Sequence, residues 1–129
     1  VFAAARPVVA PGKEGVVYYP SMGLQVSTDN GKTFTRMDSL AACMAVGLGK
    51  GKTDSDPYTI FVWGKPTNDD SIGLYWSEDE GKTWSKVSDD QHQFGGPGNG
   101  FFVVGDMNKY GRVYMSTVGL GIVYGDLVQ

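Results

Sequence analysis

Short apolar runs rich in β-branched and aromatic residues recur along the chain, and each ends at a glycine, a proline or a polar cluster. Runs of this kind are typical of β-strands, whereas no window keeps the 3.6-residue spacing of apolar residues that an amphipathic helix requires. The pattern therefore predicts an all-β chain of short strands. The predicted strands cover residues 8–10, 15–19, 24–27, 34–37, 42–48, 58–63, 74–77, 84–87, 101–104, 112–116 and 122–124.

One of these runs, residues 42–48, is small and apolar throughout, which indicates a strand packed on both of its faces. It contains Cys43, the single cysteine, which we interpret as a small buried hydrophobe rather than a nucleophile. Tryptophan rings can stack on sugars, but we interpret Trp63, Trp76 and Trp84 as core residues between neighbouring units of the fold.

Two similar octets, residues 27–34 (the first box) and residues 77–84 (the second box), are offset by 77 − 27 = 50 residues. Both follow the pattern Ser-x-Asp-x-Gly-Lys-Thr-aromatic, and the similarity continues into the flanking residues. A repeat of this length is typical of propellers and other repeat architectures. The positions that define the pattern are Ser27, Asp29, Gly31, Thr33 and Phe34 in the first box and Ser77, Asp79, Gly81, Thr83 and Trp84 in the second.

Each box has the composition of a hairpin turn. Its aspartate can accept hydrogen bonds from backbone N–H groups about two residues ahead. Its glycine suits the left-handed conformation that a short hairpin loop needs. Its aromatic residue, Phe34 or Trp84, then opens the returning strand with a large ring that we expect to be buried. Each box is therefore predicted to be the turn of a hairpin, and the Asp-box families that it resembles, named below, imply a structural rather than a catalytic role.

The spacing of strands and boxes predicts a β-propeller architecture, because four strands in about 50 residues is the size of one blade. The predicted blade units are residues 1–39, 40–89 and 90–129, a single segment of about two and a half four-stranded blades. Propellers usually close with about four to eight blades, so we expect the chain to be part of a larger propeller. The alternative is an oligomerising piece in which several copies complete a ring.

Charge and composition exclude several classes of partner and cofactor. The 11 lysine and arginine residues and 14 aspartate and glutamate residues are interspersed, so no basic stripe indicates a nucleic-acid partner. No apolar stretch approaches the roughly 18 residues of a membrane span, so no membrane partner is expected. The single histidine, His92, has no second histidine or cysteine at metal-ligand spacing. Neither a metal site nor a cofactor is therefore predicted.

The loop of residues 89–99 is the most informative stretch outside the repeat, because it concentrates hydrogen-bonding side chains and an aromatic ring between two units. In a four-stranded blade this loop would lie on the face opposite the boxes, which is the face where propellers usually bind ligands. The candidate substrate-binding residues are Gln91, His92, Gln93 and Phe94. The alternative is a polar inter-blade loop whose side chains satisfy backbone groups.

These motifs resemble those of known families. The boxes resemble the Asp-box of the BNR repeat family, found in sialidases and sortilin-type receptors, where the box is a structural turn. Residues 89–95, 105–108, 110–114 and 119–126 are similar, in order, to the carboxyl-terminal end of glycoside hydrolase family 74. With the boxes upstream, the resemblance covers most of residues 15–126. One departure lies at Val118 and Leu120, where the family's pattern has a polar and a basic residue.

The family resemblance implies a secreted, extracellular endo-β-1,4-glucanase that cleaves xyloglucan or a related β-glucan with inversion. It also implies two seven-bladed propellers with a substrate cleft between them and one catalytic aspartate from each. The context of neither catalytic aspartate is matched at Asp29, Asp79, Asp89, Asp90, Asp106 or Asp126, so no catalytic residue is assigned here. The resemblance thus implies that the chain supplies blades and one wall of the cleft, has the rest of its own enzyme as a partner, and is inactive by itself.

Two other functions fit the boxes. One is a non-catalytic propeller segment that binds glycan or peptide, as in sortilin-like receptors. The other is a lectin-like repeat protein whose copies assemble into a ring. The first has no reason to share the loop and the glycine-rich end that resemble family 74, and a monomeric chain would exclude the second.

Overall fold

A computed structural model describes residues 7–21, 23–87, 103–116 and 122–126. These residues form strands, turns and bends without a helix, which confirms the predicted all-β class. None of them belongs to a helix long and apolar enough to cross a membrane. The strands are β1 (Val8–Val9), β2 (Val17–Pro20), β3 (Leu24–Ser27), β4 (Thr35–Arg36), β5 (Ala42–Gly49), β6 (Thr59–Lys65), β7 (Gly73–Ser77), β8 (Ser85–Lys86), β9 (Val103–Gly105), β10 (Arg112–Ser116) and β11 (Ile122–Asp126).

The strands form three antiparallel sheets in which each strand pairs with the next along the chain. Sheet 1 has the order β1-β2-β3-β4, and sheet 2 has the order β5-β6-β7-β8. Sheet 3 contains β9, β10 and β11, with β10 in the centre. Two four-stranded sheets and a third of three described strands match the predicted two and a half blades.

Sheet 2 lies between the other two sheets and is buried on both faces. Along β6 the side chains alternate: Ile60 and Val62 pack into a cluster with sheet 1, whereas Phe61 packs into a cluster with sheet 3. All three side chains are at most 1% exposed. Burying a side chain of this size stabilises the fold by about 1.5–3 kcal/mol. The two apolar clusters, one on each face of sheet 2, therefore hold the stack together.

The strand of small residues, β5, is also buried on both faces, as its sequence predicted. Cys43 is 4% exposed, and burial raises the pKa of its thiol to about 12, so it is not a nucleophile. Trp63 and Trp76 pack half-buried against the cluster between sheets 2 and 3, and Trp84 against the cluster between sheets 1 and 2. The tryptophans are thus core residues between sheets.

The first strands of sheets 2 and 3 approach so closely that only glycine fits between them. A Cβ atom on Gly47 would overlap the carbonyl oxygen of Val103 and lie 2.7 Å from its carbonyl carbon. One on Gly49 would lie 3.1 Å from the Cα of Gly105. The absence of side chains at these positions lets β5 and β9 lie backbone against backbone.

Candidate functional site

The strand directions place both boxes at one end of the stack, which we call the box end. β3 and β7 run toward it, and β4 and β8 return from it to the opposite end. The loop after β1 also lies at the box end, since the N–H of Asn30 donates to the carbonyl oxygen of Gly15 at 3.1 Å. At the opposite end the N–H of Ala41 donates to the carbonyl oxygens of Lys65 and Pro66, both at 2.9 Å.

The first box is a turn closed by two side chains. The hydroxyl of Ser27 donates to Asp29 Oδ1 at 2.8 Å and accepts the N–H of Gly31 at 2.8 Å. The carboxylate of Asp29 accepts the N–H of Thr33 at 2.8 Å and also the Thr33 hydroxyl. The prediction that the aspartate accepts an N–H about two residues ahead was wrong. Asp29 accepts the N–H of Thr33, four residues ahead, because the chain reverses before an N–H points at the carboxylate.

The second box repeats these contacts. Ser77 donates to Asp79 Oδ1 at 2.7 Å and accepts the N–H of Gly81 at 2.9 Å, while Asp79 accepts the N–H of Thr83 at 2.9 Å. The glycines have φ values of 81° and 89°, as predicted, and the residue before each glycine is also left-handed. Two consecutive residues at positive φ reverse the chain tightly, and the serine and aspartate satisfy the backbone donors inside the turn.

The box carboxylates are held in their charged form. Hydrogen bonds from the Thr33 hydroxyl and N–H, and from Ser27, lower the pKa of Asp29 from its ordinary 3.8 to about 2. The same set, led by the Thr83 hydroxyl, lowers the pKa of Asp79 to about 2. A carboxyl group with so low a pKa cannot act as a general acid near neutral pH. The contacts therefore support the structural role predicted for the boxes.

The low pKa values predict a loss of stability in acid. Because the folded pKa lies below the unfolded one, the contribution is complete above about pH 4 and disappears as the pH falls toward 2. We expect the urea midpoint of unfolding to fall between pH 5 and pH 2.5. The double variant Asp29→Asn/Asp79→Asn should be less stable at pH 5 and show a smaller fall.

Urea titrations at the two pH values check this prediction, with Asp54→Asn as the control, since the Asp54 side chain is 99% exposed. Between pH 5 and pH 2.5 the urea midpoint of Asp54→Asn should fall by as much as that of the unsubstituted chain. If the urea midpoint of the double variant falls as much in acid as that of the unsubstituted chain, other carboxylates are responsible for the pH dependence of stability.

The second box also joins sheet 2 to sheet 1. The Ser39 hydroxyl donates to the carbonyl oxygen of Gly81, and Trp84 Nε1 donates to Ser39 Oγ at 3.0 Å. Lys13 Nζ lies 2.8 Å from Glu80 Oε1 in an exposed ion pair. None of these partner residues was predicted from the sequence, since they lie some 40 to 70 residues from the box along the chain.

The expectation of a buried ring at the end of each box holds for Trp84 and is wrong for Phe34. Trp84 packs half-buried against sheet 1, whereas Phe34 is 43% exposed and contacts Tyr19 with its ring centroid 6.3 Å away. The difference is one of position. Sheet 1 covers the second box, but no described residue covers the first box in the same way.

The candidate substrate-binding residues Gln91, His92, Gln93 and Phe94 lie outside the described residues. The described strands on either side show where the chain leaves sheet 2 and where it enters sheet 3. β8 ends and β9 begins at the opposite end, since the carbonyl oxygen of Asp106, just after β9, accepts the N–H of Lys50 at the box end. The chain therefore leaves sheet 2 and enters sheet 3 on the side away from the boxes.

A cavity of about 440 Å³ lies at the box end. The polar groups around it are partnered within the protein: the Tyr58 hydroxyl donates to the carbonyl oxygen of Pro11, and Asp56 Oδ2 accepts the N–H and hydroxyl of Thr53 at 3.0 and 2.9 Å. Lys50 Nζ lies 3.8 Å from Asp54 Oδ1. Because these groups already have partners, we assign no binding role to the cavity.

A carboxyl group that acts as a general acid near neutral pH needs a raised pKa. Every described carboxyl group whose pKa departs from its ordinary value is shifted downward by hydrogen bonds or cations, and none of them is suited to donate a proton. These groups are Asp29, Asp79, Glu80, Asp106 and Asp126. Within the described ranges no group of three or more histidine, cysteine, aspartate or glutamate side chains could hold a metal ion.

The stacking defines the class of protein. Four-stranded meanders stacked face to face, with their first strands side by side, are blades of a β-propeller. Here β5 contacts both β1 and β9, and an apolar groove of about 200 Å³ runs along these strands, lined by Val9, Leu48 and Val104 among others. The chain is therefore a run of propeller blades.

Comparison with known proteins finds similar enzymes. No model of a protein family matches the chain. The xyloglucanase Xgh74A of Acetivibrio thermocellus is 41% identical over 118 residues, which are 90% of this chain and 14% of that protein. The family-74 enzyme of Niastella koreensis superposes with a TM-score of 0.85 at 42% identity, over 92% of this chain and 17% of that one.

A second solved structure agrees. The family-74 xyloglucanase of Xanthomonas campestris superposes with a TM-score of 0.81 at 31% identity, over 96% of this chain and 17% of that one. The chain is thus similar in sequence and in fold to a segment of glycoside hydrolase family 74 enzymes, the family that its sequence indicated. It spans about one sixth of the length of these relatives.

Proposed function

We propose that the chain is a carboxyl-terminal segment of a xyloglucan-specific endo-β-1,4-glucanase, a secreted, inverting glycoside hydrolase. The single observation that carries this proposal is the alignment of nine tenths of the chain with family-74 enzymes at 41–42% identity, with the fold superposing at a TM-score of 0.85. Two of these relatives are named xyloglucanases, so the proposed substrate is xyloglucan or a related β-glucan.

In this proposal the chain contributes propeller blades and one wall of the cleft that binds the glycan. We take residues 1–39, 40–89 and 90–129 as three successive blade units, which fits the extents of the three sheets. The rest of the same enzyme is then the partner that covers the exposed blade faces. Inversion needs an acid and a base about 6.5–9.5 Å apart, and we place both outside this chain.

The proposed glycan contacts are Gln91, His92, Gln93 and Phe94, at the end of the stack opposite the boxes. Support comes from the strands around them, because β8 ends and β9 begins at that end. The box end is occupied by turns whose polar groups bond to one another. Amide, imidazole and phenyl groups are suited to sugar binding, since they offer hydrogen bonds and an apolar face.

Substitution of His92 in the longer enzyme tests the site. We expect His92→Ala to lower kcat/KM on xyloglucan by about tenfold, the effect of losing one hydrogen bond of about 1.4 kcal/mol. Thermal stability should be unchanged. Initial-rate kinetics and a melting curve on the same preparations measure both quantities.

The control is Asp54→Ala at the box end, which should alter neither quantity because its side chain is 99% exposed. A lower melting temperature for His92→Ala with unaltered kcat/KM would instead assign the loop a structural role. An unsubstituted longer enzyme without activity on xyloglucan would overturn the proposed function itself.

A further inference from the structure

The first box carries the dipeptide Asn30-Gly31 in the middle of its turn. Asparagine is a chemically labile residue, and it is most labile before glycine, whose lack of a side chain leaves its backbone nitrogen free to attack the asparagine amide. Asn30 is exposed and has a φ of 63°, and Gly31 follows with a φ of 81°. The sequence and the exposure of Asn30 thus both favour the loss of its side-chain amide.

The nitrogen that would attack is held inside the turn. The N–H of Gly31 donates to Ser27 Oγ at 2.8 Å, and Ser27 is only 1% exposed. On the other side of the labile side chain, the N–H of Asn30 donates to the carbonyl oxygen of Gly15 at 3.1 Å. A nitrogen whose hydrogen is bonded to a buried hydroxyl is shielded from the base that has to remove its proton. The turn therefore has to open locally before the reaction can occur.

The internal repeat shows how accessible this position is when a neighbouring sheet covers the box. Glu80 stands in the second box where Asn30 stands in the first, and it has nearly the same φ, 60°. Its side chain is 51% exposed even though Ser39 of sheet 1 contacts the next residue of the turn. A further blade packed on the first box in the same way would leave Asn30 accessible to water. Glu80 has no amide to lose, so the two boxes differ in chemical lability.

We propose that Asn30 is a site of spontaneous deamidation and that opening of the first box controls its rate. In the open turn, the Gly31 nitrogen gives up its proton and forms a bond to Asn30 Cγ. The bond from Cγ to Nδ2 breaks, and ammonia leaves with the proton, so that a cyclic succinimide remains. Water then adds to one of its two carbonyl groups and reopens the ring, either to aspartate or to isoaspartate, in which the main chain passes through the side-chain carbonyl.

The two products have different effects on the first box. Aspartate tolerates a positive φ as asparagine does, and the second box already has an acidic residue at this position. Isoaspartate lengthens the main chain inside the turn by a carbon atom. The N–H groups of residues 30 and 31 then no longer match the carbonyl oxygen of Gly15 and the hydroxyl of Ser27. Isoaspartate therefore keeps the box open and lowers the stability of sheet 1.

Mass spectrometry of peptides from the longer enzyme, after incubation in mildly alkaline buffer, tests the site. Asn99-Gly100 is the same dipeptide later in the sequence and serves as the internal standard. In urea the two asparagines should deamidate at similar rates, and folding should slow the reaction at Asn30. In the folded enzyme, Ser27→Ala should raise the rate at Asn30 by about tenfold and leave that at Asn99 unchanged, because it removes a hydrogen bond that closes the turn.

Asn30→Glu is the matched control, since it gives the first box the residue of the second. Its melting temperature should stay constant during incubation, whereas that of the unsubstituted enzyme should fall as isoaspartate accumulates. If Ser27→Ala does not fold, Thr33→Ala replaces it, because the Thr33 hydroxyl donates to Asp29 across the same turn.

An Asn30 that stays intact in urea would overturn the site. Deamidation of Asn30 at the same rate in the folded enzyme and in urea would overturn the control by the box, as would an unchanged rate in the folded turn variant. None of these measurements uses a glycan, so their outcome is independent of the proposed hydrolytic function.

Discussion

Gly47→Ala is expected to destabilise the chain by about 3 kcal/mol or more, at the upper end of what overpacking costs. The added methyl group would overlap the carbonyl oxygen of Val103, and it would lie 2.9 Å from the Cα of Val104. These are backbone atoms of β9, so no side chain can turn aside. Relief requires sheet 3 to move away from sheet 2, which opens the cluster around Phe61.

Melting curves and urea titrations measure this effect, and a loss of this size corresponds to a fall in Tm of roughly 10 °C. Gly125→Ala is the matched control, because a Cβ there meets no atom within 4 Å. It should stay within about 0.5 kcal/mol of the unsubstituted chain. A Tm of Gly47→Ala equal to that of Gly125→Ala would show that β5 and β9 are not in contact.

The strands could be predicted well because their residues carry local information. β3 and β10 lie at the predicted residues 24–27 and 112–116, since a glycine or a box fixes where pairing stops. β6 was predicted at residues 58–63 and extends instead over Thr59–Lys65. Its last two residues lie beyond the predicted strand, since pairing of Gly64 with Gly73 and of Lys65 with Ala42 continues the ladder.

What the sequence did not reveal is which surfaces meet. Phe34 and Trp84 occupy the same place in the repeat, yet only Trp84 has a sheet against it. Composition identifies a ring that can be buried, whereas its burial depends on a neighbour far away in the chain. The same limit hid Ser39, whose contacts with Gly81 and Trp84 carry no local signal.

Of the candidate residues, only those of the boxes lie in the part of the chain that the structure describes. The repeat identified the boxes, and the serine and aspartate contacts show why those residue types recur there. The loop with Gln91 and His92 was selected by composition and by its position between two units. Its glycan contacts remain a prediction, which the His92→Ala experiment addresses.

The second large effect is the expected absence of hydrolysis by the 129-residue chain itself. Inverting hydrolysis needs one carboxyl group that is protonated at the working pH and a second that is ionised. The described carboxyl groups with shifted pKa values are all shifted downward, because they accept N–H and O–H hydrogen bonds or face a cation. None of these five groups is therefore suited to be the acid.

The most direct measurement is the release of reducing ends from xyloglucan by the longer enzyme and by the 129-residue chain, at equal molar concentration. We predict hydrolysis by the longer enzyme and none by the chain alone, with unbranched β-1,4-glucan cleaved more slowly than xyloglucan. Hydrolysis of xyloglucan by the chain alone would contradict the placement of both catalytic groups outside it. A longer enzyme inactive on xyloglucan would contradict the assigned function.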